Sequence, residues 1–250
     1  ARGGAQQDRF IDGAQRFSTA LADRLGEAVV TSAPVRQIAQ DADGVTVRGD
    51  GGAVRARRVI VAVPPALAGR IDYTPALPPA RDALTQRMPM GSTTKLFAFY
   101  DAPFWRSDGR SGESVSSRGP LSFTFDNSAP DGPPYCLLGF AVGAAARALS
   151  TQPQAERRRA VVAHLVRLFG PRAGDPIDFV EQDWSAEPWT RGCPVGALGP
   201  GGWTQFGDAL RRPVGRLHWA GTETARVWTG YLEGALEAGD RAAREALAAL

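Results

Sequence analysis

Two hydrophobic periods divide this chain. Near the N-terminus Phe17, Leu21 and Leu25 recur every four residues, and Gly26 follows where a C-terminal cap belongs, which predicts a helix from about Gly13 to Leu25. The period then shortens. Strands are predicted at Ala28 to Ser32, Val35 to Ala39, Val45 to Arg48 and Arg58 to Val63, with Asp43-Gly44 and Gly51-Gly52 as turn signals. Arg58 to Val63 is nearly all apolar, as a central strand covered on both faces would be, and Pro64-Pro65 ends it.

After about Arg70 the texture changes. Proline-rich connectors lead to a helix near Ala80 to Arg87, then to long β-like runs at Thr93 to Tyr100, Leu121 to Phe125 and Tyr135 to Val142. Val161, Val162, Leu165, Val166 and Phe169 mark one face of a helix from Gln154 to Phe169, and His164 at the margin of that face reads as structural or exposed. Phe179 to Trp184 and Arg216 to Ala220 resume the earlier style, and a last helix runs from about Trp228 to the end. Mixed strands, a β-rich insertion and a return predict an α+β fold in two domains. The first is discontinuous, residues 1–68 and 176–250, and the second spans 69–175.

Composition narrows the function. The apolar and charged fractions are those of a soluble globular protein, and 250 residues can bury a sizeable core. No apolar run approaches the roughly 20 residues that span a bilayer. No signal peptide is visible in Ala1-Arg2-Gly3-Gly4, so a cytoplasmic place away from membranes is expected; a start without Met suggests trimming, processing or a fragment. Cys136 and Cys193 are too few for a disulfide framework, and with only His164 and His218 beside them no metal site is expected. The net charge is +3. No aromatic residues interleave Arg55, Arg57 and Arg58 or Arg157 to Arg159, which reads as solvated faces rather than a nucleic-acid surface.

Lys95 is the only lysine among 29 basic residues. A chain that otherwise uses Arg can place a lysine where Arg will not serve, because an ammonium is compact and its pKa falls on burial, whereas a guanidinium keeps its proton. The tail carries a second signal: Leu217-His218-Trp219-Ala220-Gly221-Thr222-Glu223-Thr224-Ala225, then Trp228-Thr229-Gly230-Tyr231-Leu232-Glu233-Gly234-Ala235. It reads as a strand, a glycine turn bearing a carboxylate, and a helix start whose free N–H groups suit a phosphate or an electron-rich ring. Gly234, Ala235, Ala238, Gly239, Ala242 and Ala243 would let a flat group or a neighbouring backbone approach that helix.

These residues resemble the flavin-containing monoamine oxidase family through nearly the whole chain. Gly3-Gly4-Ala5-Gln6-Gln7-Asp8-Arg9-Phe10 is similar to the segment before the second flavin-contacting strand. Pro34-Val35 is similar to the pair on the adenine side, and Val61-Ala62-Val63-Pro64-Pro65 to the strand and diproline beside the cofactor. Gly91 to Lys95 with Pro103-Phe104-Trp105 resembles the lysine strand, and Trp184, Trp189 and Gly192-Cys193 the segment along the isoalloxazine. Gly221-Thr222-Glu223 and Gly230-Tyr231-Leu232 complete the set, with Ala235 among the cofactor contacts.

The resemblance implies a split FAD-binding layer with a β-sheet substrate-binding domain, and FAD, an amine substrate and O2 as reactants, with hydrogen peroxide as product. It implies that Lys95 holds a water at flavin N5 and that Glu223 meets the ribityl–phosphate region. Tyr231 would wall the amine slot, and Phe123 and Phe140 would line the substrate cavity. Pro194 follows Cys193 where the mitochondrial-type enzymes have a tyrosine. FAD held without a covalent bond is therefore expected, with a thioether at Cys193 as the alternative. The family's GxGxxG unit is not found here, and Gly199-Pro200-Gly201-Gly202 is placed in the ring-contacting loop instead. A second chain or further segment carrying that unit is the expected partner, and a homodimer of the complete unit is compatible with it. A non-catalytic remnant that binds no flavin, and an amino-acid or polyamine oxidase, remain open as other readings.

Overall fold

Strand pairing, rather than chain order, sorts this molecule into three sheets. The structure, a computed structural model, describes residue 8 and residues 10–250; residues 3–7 and 9 of the N-terminal resemblance lie outside it. Along the chain run α1 (Gln15–Leu25), β1 (Val35–Gln40), β2 (Val45–Gly49), β3 (Gly52–Ala56), β4 (Val59–Val61), α2 (Pro65–Ala68), β5 (Asp72–Thr74) and α3 (Pro79–Arg87). Then come β6 (Thr93–Tyr100), α4 (Phe104–Ser107), β7 (Ser114–Val115), β8 (Phe123–Asp126), β9 (Tyr135–Val142), α5 (Ala144–Ser150) and α6 (Gln154–Phe169). β10 (Asp178–Asp183), α7 (Gly202–Arg211), β11 (Leu217–Trp219) and α8 (Leu232–Ala248) complete it.

One sheet has the order β3-β2-β1-β5, a second β10-β6-β9-β8-β7, and the third is the parallel pair β11-β4. The fold is α+β. Its sheets do not follow the expected borders at 68/69 and 175/176. β5 pairs with β1 and β10 with β6, because hydrogen-bond partners decide sheet membership.

β6 shows how sequence sets the geometry of the site. Leu96, Ala98 and Tyr100 alternate into a core shared with Leu137, Ala141, Val161, Leu165 and Phe169. Each large apolar side chain buried there contributes roughly 1.5–3 kcal/mol. A slip of one residue would exchange that row for Lys95, Phe97 and Phe99, so the core fixes the register and leaves Lys95 on the opposite face. Two smaller cores lie elsewhere. Ile38, Val45, Val61, Leu217 and Trp219 join the parallel pair to the first sheet, and Leu84, Met88, Phe206 and Leu210 join α3 to α7.

Four local expectations are corrected. Residues 29–32 form no strand; Ser32 takes a left-handed φ of 56°, which breaks extended pairing. β4 pairs only with β11 among the described residues, and Ile60 is 38% exposed, so the apolar strand is covered on one face there. The glycine-rich Gly199 to Gly202 ends in the N-cap of α7, a helix whose Phe206 and Leu210 are buried on one face. The last helix starts at Leu232, since Trp228 at φ 59° and Gly230 at φ 89° cannot continue a right-handed helix. β3 went unread because its exposed arginine-bearing pattern looks like a solvated face.

Candidate functional site

Lys95 opens into a cavity of about 350 Å³ built from four distant parts of the chain. Ala62 and Pro64 come from the end of β4. Met90 precedes β6. Trp184, Trp189, Cys193 and Pro194 come from the loop after β10, and Gly221, Thr222, Glu223 and Ala235 from the turn after β11 and the start of α8. Nine of the sequence-predicted residues therefore meet at one place: Lys95, Ala62, Trp184, Trp189, Cys193, Gly221, Thr222, Glu223 and Ala235.

Two glycines let the loop after β10 press against the strand carrying the lysine. A side-chain carbon on Gly91 would stand 2.6 Å from the Cys193 carbonyl, and one on Gly192 would stand 2.3 Å from the Gly91 carbonyl. The contact is sealed by the Cys193 amide donating to Gly91 O at 2.9 Å and by Thr93 Oγ1 donating to Cys193 O at 2.9 Å. Cys193 is half-buried. Burial raises its thiol pKa, and the nearby Lys95 ammonium offsets part of that rise.

On the opposite wall Glu223 is buried, and its Oε1 accepts the Gly196 amide at 3.0 Å. Thr222 Oγ1 accepts the Gly230 amide at 2.7 Å and donates to Tyr231 O at 3.0 Å, tying the turn to the segment that enters α8. No side chain caps α8, so the first-turn amides Leu232, Glu233 and Gly234 have no intrahelical acceptor.

Across the sheet β10-β6-β9-β8-β7, Phe123 lies opposite Phe140 and Phe140 opposite Lys95, in one continuous row. The two phenyl rings are 5.3 Å apart. Neither ring belongs to the cavity wall. Tyr231 stands edge-on to Trp228 at 5.6 Å, 40% exposed and also outside that wall, as are Gly230 and Leu232. Val35 opens β1 of the first sheet, and Pro34 stands just before it with its carbonyl packed against Gly49. Met90 and Thr190 line the cavity without having been singled out. Neither residue type carries chemistry in a pattern, and the pairing of Met90 with Gly196 beside the Gly91–Cys193 contact brings the two segments together.

His164 is buried with its Nδ1 accepting the Leu121 amide at 3.2 Å, a structural role that burial and Arg167 reinforce by lowering its pKa. Among the described residues no group of three or more His, Cys, Asp or Glu is placed to hold a metal ion, and no helix is long and apolar enough to cross a membrane.

The wall chemistry suits a flat redox cofactor. Trp184 Nε1 is a buried donor at the cavity wall without a partner among the described residues. Apolar surface from Ala62, Pro64 and Met90, a glycine at φ 91° in the turn, and an uncapped helix start surround the same space. These features leave room for a flat ring with a polar edge at this place.

Comparison with known proteins carries the assignment further. The family model for flavin containing amine oxidoreductase matches residues 1–247. A Dictyostelium discoideum protein named "Probable flavin-containing monoamine oxidase A" is 49% identical over 97% of this chain and 54% of its own length. Wild-type putrescine oxidase bound to putrescine superposes with a TM-score of 0.91 at 35% identity, over 95% of this chain and 53% of that one. Cyclohexylamine oxidase from Brevibacterium oxydans superposes with a TM-score of 0.89 at 38% identity, over 94% and 52%. The chain belongs to the flavin-containing amine oxidoreductase family, and it spans about half the length of the relatives it matches.

Proposed function

We propose that this chain supplies the ring-side wall and the substrate sheet of an FAD-dependent amine oxidase. The reading rests chiefly on one observation: the single lysine opens into the cavity walled by Trp184, Cys193 and the Gly221–Glu223 turn. FAD, when bound, supplies hydride acceptance from the carbon next to an amine and passage of the electrons to O2. The net change is amine, water and O2 to aldehyde, ammonia and hydrogen peroxide.

The chain's own residues have separate tasks. Lys95 holds a water in the cavity and moves a proton through it. Trp184 offers its N–H to the cofactor, and the first-turn amides of α8 stabilise negative charge beside them. Glu223 and Thr222 hold polar groups of the cofactor chain. Pro34 and Val35 serve the distant adenine end, away from this cavity. Gly230 and Leu232 set the approach to α8. Tyr231, with Phe123 and Phe140, orients an apolar amine. The cofactor layer corresponds to residues 1–68 with 176–250 and the substrate sheet to 69–175, with β5 and β10 exchanged between them by pairing.

The test uses the complete enzyme that contains this chain. Its visible flavin absorbance is expected to bleach with an amine under anaerobic conditions and to return in air with release of peroxide. A colourless protein with no amine-dependent peroxide overturns the proposal.

A further inference from the structure

Beside the Gly221–Glu223 turn, and outside the cavity lining, Arg241 gathers three segments. It comes from the middle of α8, and its side chain is 13% exposed. Nη2 donates to Trp219 O and to Thr224 Oγ1, both at 2.9 Å, and Nη1 donates to Glu245 Oε1 at 2.9 Å. Thr224 Oγ1 in turn donates to Gly221 O at 2.9 Å. A hydrogen-bonded path thus runs from Glu245 through Arg241 and Thr224 to Gly221, which lines the cavity. Arg211 grips the same turn from α7, donating to Thr224 O and Ala225 O at 2.7 and 2.8 Å.

We propose that Arg241 is a positioning residue that sets the separation between two walls of the cofactor cavity, the Gly221–Glu223 turn and the first turn of α8. The inference rests on the flavin reading above. Its physical basis is that the Thr222 contacts join the turn to the segment entering α8, whereas Arg241 adds a tie from the turn to the body of the helix whose Ala235 lines the same cavity. Ala238 and Ala242 are fully buried, which brings the helix close enough for one guanidinium to reach both Trp219 O and Thr224 Oγ1. A planar fork can serve those acceptors with one nitrogen and a carboxylate with the other; an ammonium cannot reproduce that arrangement. A flat ring held between two walls tolerates little slack, so the effect should be read in cofactor binding before it is read in stability.

The experiment uses the flavin-depleted complete enzyme, titrated with FAD, with visible circular dichroism of the bound flavin recorded beside the melting temperature. R241M is expected to weaken FAD binding roughly tenfold or more, the scale of losing a charged hydrogen bond, and to change the flavin dichroism. R241K should rescue neither. T224V, which keeps volume and removes the middle link, should weaken binding in the same direction. The R241M/T224V pair should be no weaker than R241M alone, because both act through one path. A parent enzyme that takes up no flavin overturns the functional reading and this one with it. A flavin-loaded parent overturns only the positioning role if T224V and every folded Arg241 variant bind FAD with parental affinity and dichroism, whatever their melting temperatures. Additive losses in the double variant overturn it as well.

Discussion

Lys95 stands directly opposite Phe140 across the β6–β9 pair, and its ammonium lies 5.5 Å from the centre of the Phe140 ring. The aromatic face offers that cation a weak attraction and joins the candidate proton-handling group to the row of Phe140 and Phe123. Lys95→Met should keep the fold, since one long, largely apolar stem replaces another. It should slow amine oxidation or flavin reoxidation by about 10²-fold or more, the usual scale for a positioned proton-transfer group. Lys95→Arg should not rescue, because a guanidinium is larger and keeps its proton. Stopped-flow measurement of both half-reactions is the check; rates within about threefold of the parent would make Lys95 a structural residue.

Cys193 bears on how the cofactor is held. Its backbone is clamped to Gly91 and Thr93, burial raises its thiol pKa, and Pro194 follows it. A raised pKa keeps the thiol in its less nucleophilic form. Acid precipitation of the complete enzyme should therefore release the flavin into the supernatant. Colour retained in the pellet, and lost in Cys193→Ala, would establish a covalent link.

The Gly91–Gly192 contact has no room for a side chain. Gly91→Ala should cost about 1–3 kcal/mol through overpacking against the Cys193 carbonyl, and should displace the wall carrying Trp189 and Cys193. Denaturant unfolding together with FAD titration should show both losses. A variant equal to the parent in both would mean that the loop yields freely.

Asp126 gives the five-stranded sheet an acid-sensitive brace. Burial alone would raise its pKa, but hydrogen bonds from Arg106, Ser128 and Trp105 outweigh that and hold it at about 2. Its folded pKa lies below the unfolded value of about 3.9, so the stabilisation is present above pH 4 and is lost as pH falls towards 2. It amounts to about 2 kcal/mol at neutral pH. Asp126→Asn should lower the urea midpoint at pH 7 and flatten the decline of stability between pH 4 and 2. An unchanged acid profile would show that the brace contributes nothing measurable.

Much of this arrangement could be read in one dimension. The strands at Thr93–Tyr100 and Tyr135–Val142 and the helix Gln154–Phe169 announce themselves because a core on one face imposes a period on the residues. Lys95 stood out through composition, and the Gly221–Glu223 and Gly230–Leu232 segments through residue order. The α7 helix was missed although Phe206 and Leu210 carry its period, because the glycines before it dominate the local reading.

By itself the sequence determined which residue types stand where and which faces are apolar, since side-chain type and period are local properties. Only the tertiary structure decided that β10 pairs with β6 and that Met90 and Thr190 share the wall with Lys95. It alone showed that Tyr231, Phe123 and Phe140 lie outside that wall, and that Arg241 reaches the Gly221–Glu223 turn from beside it. Those facts depend on hydrogen bonds and van der Waals contacts between segments far apart in the chain, as β10 is from β6, or between one helix and one turn. No pattern along the chain records the distance at which such segments meet.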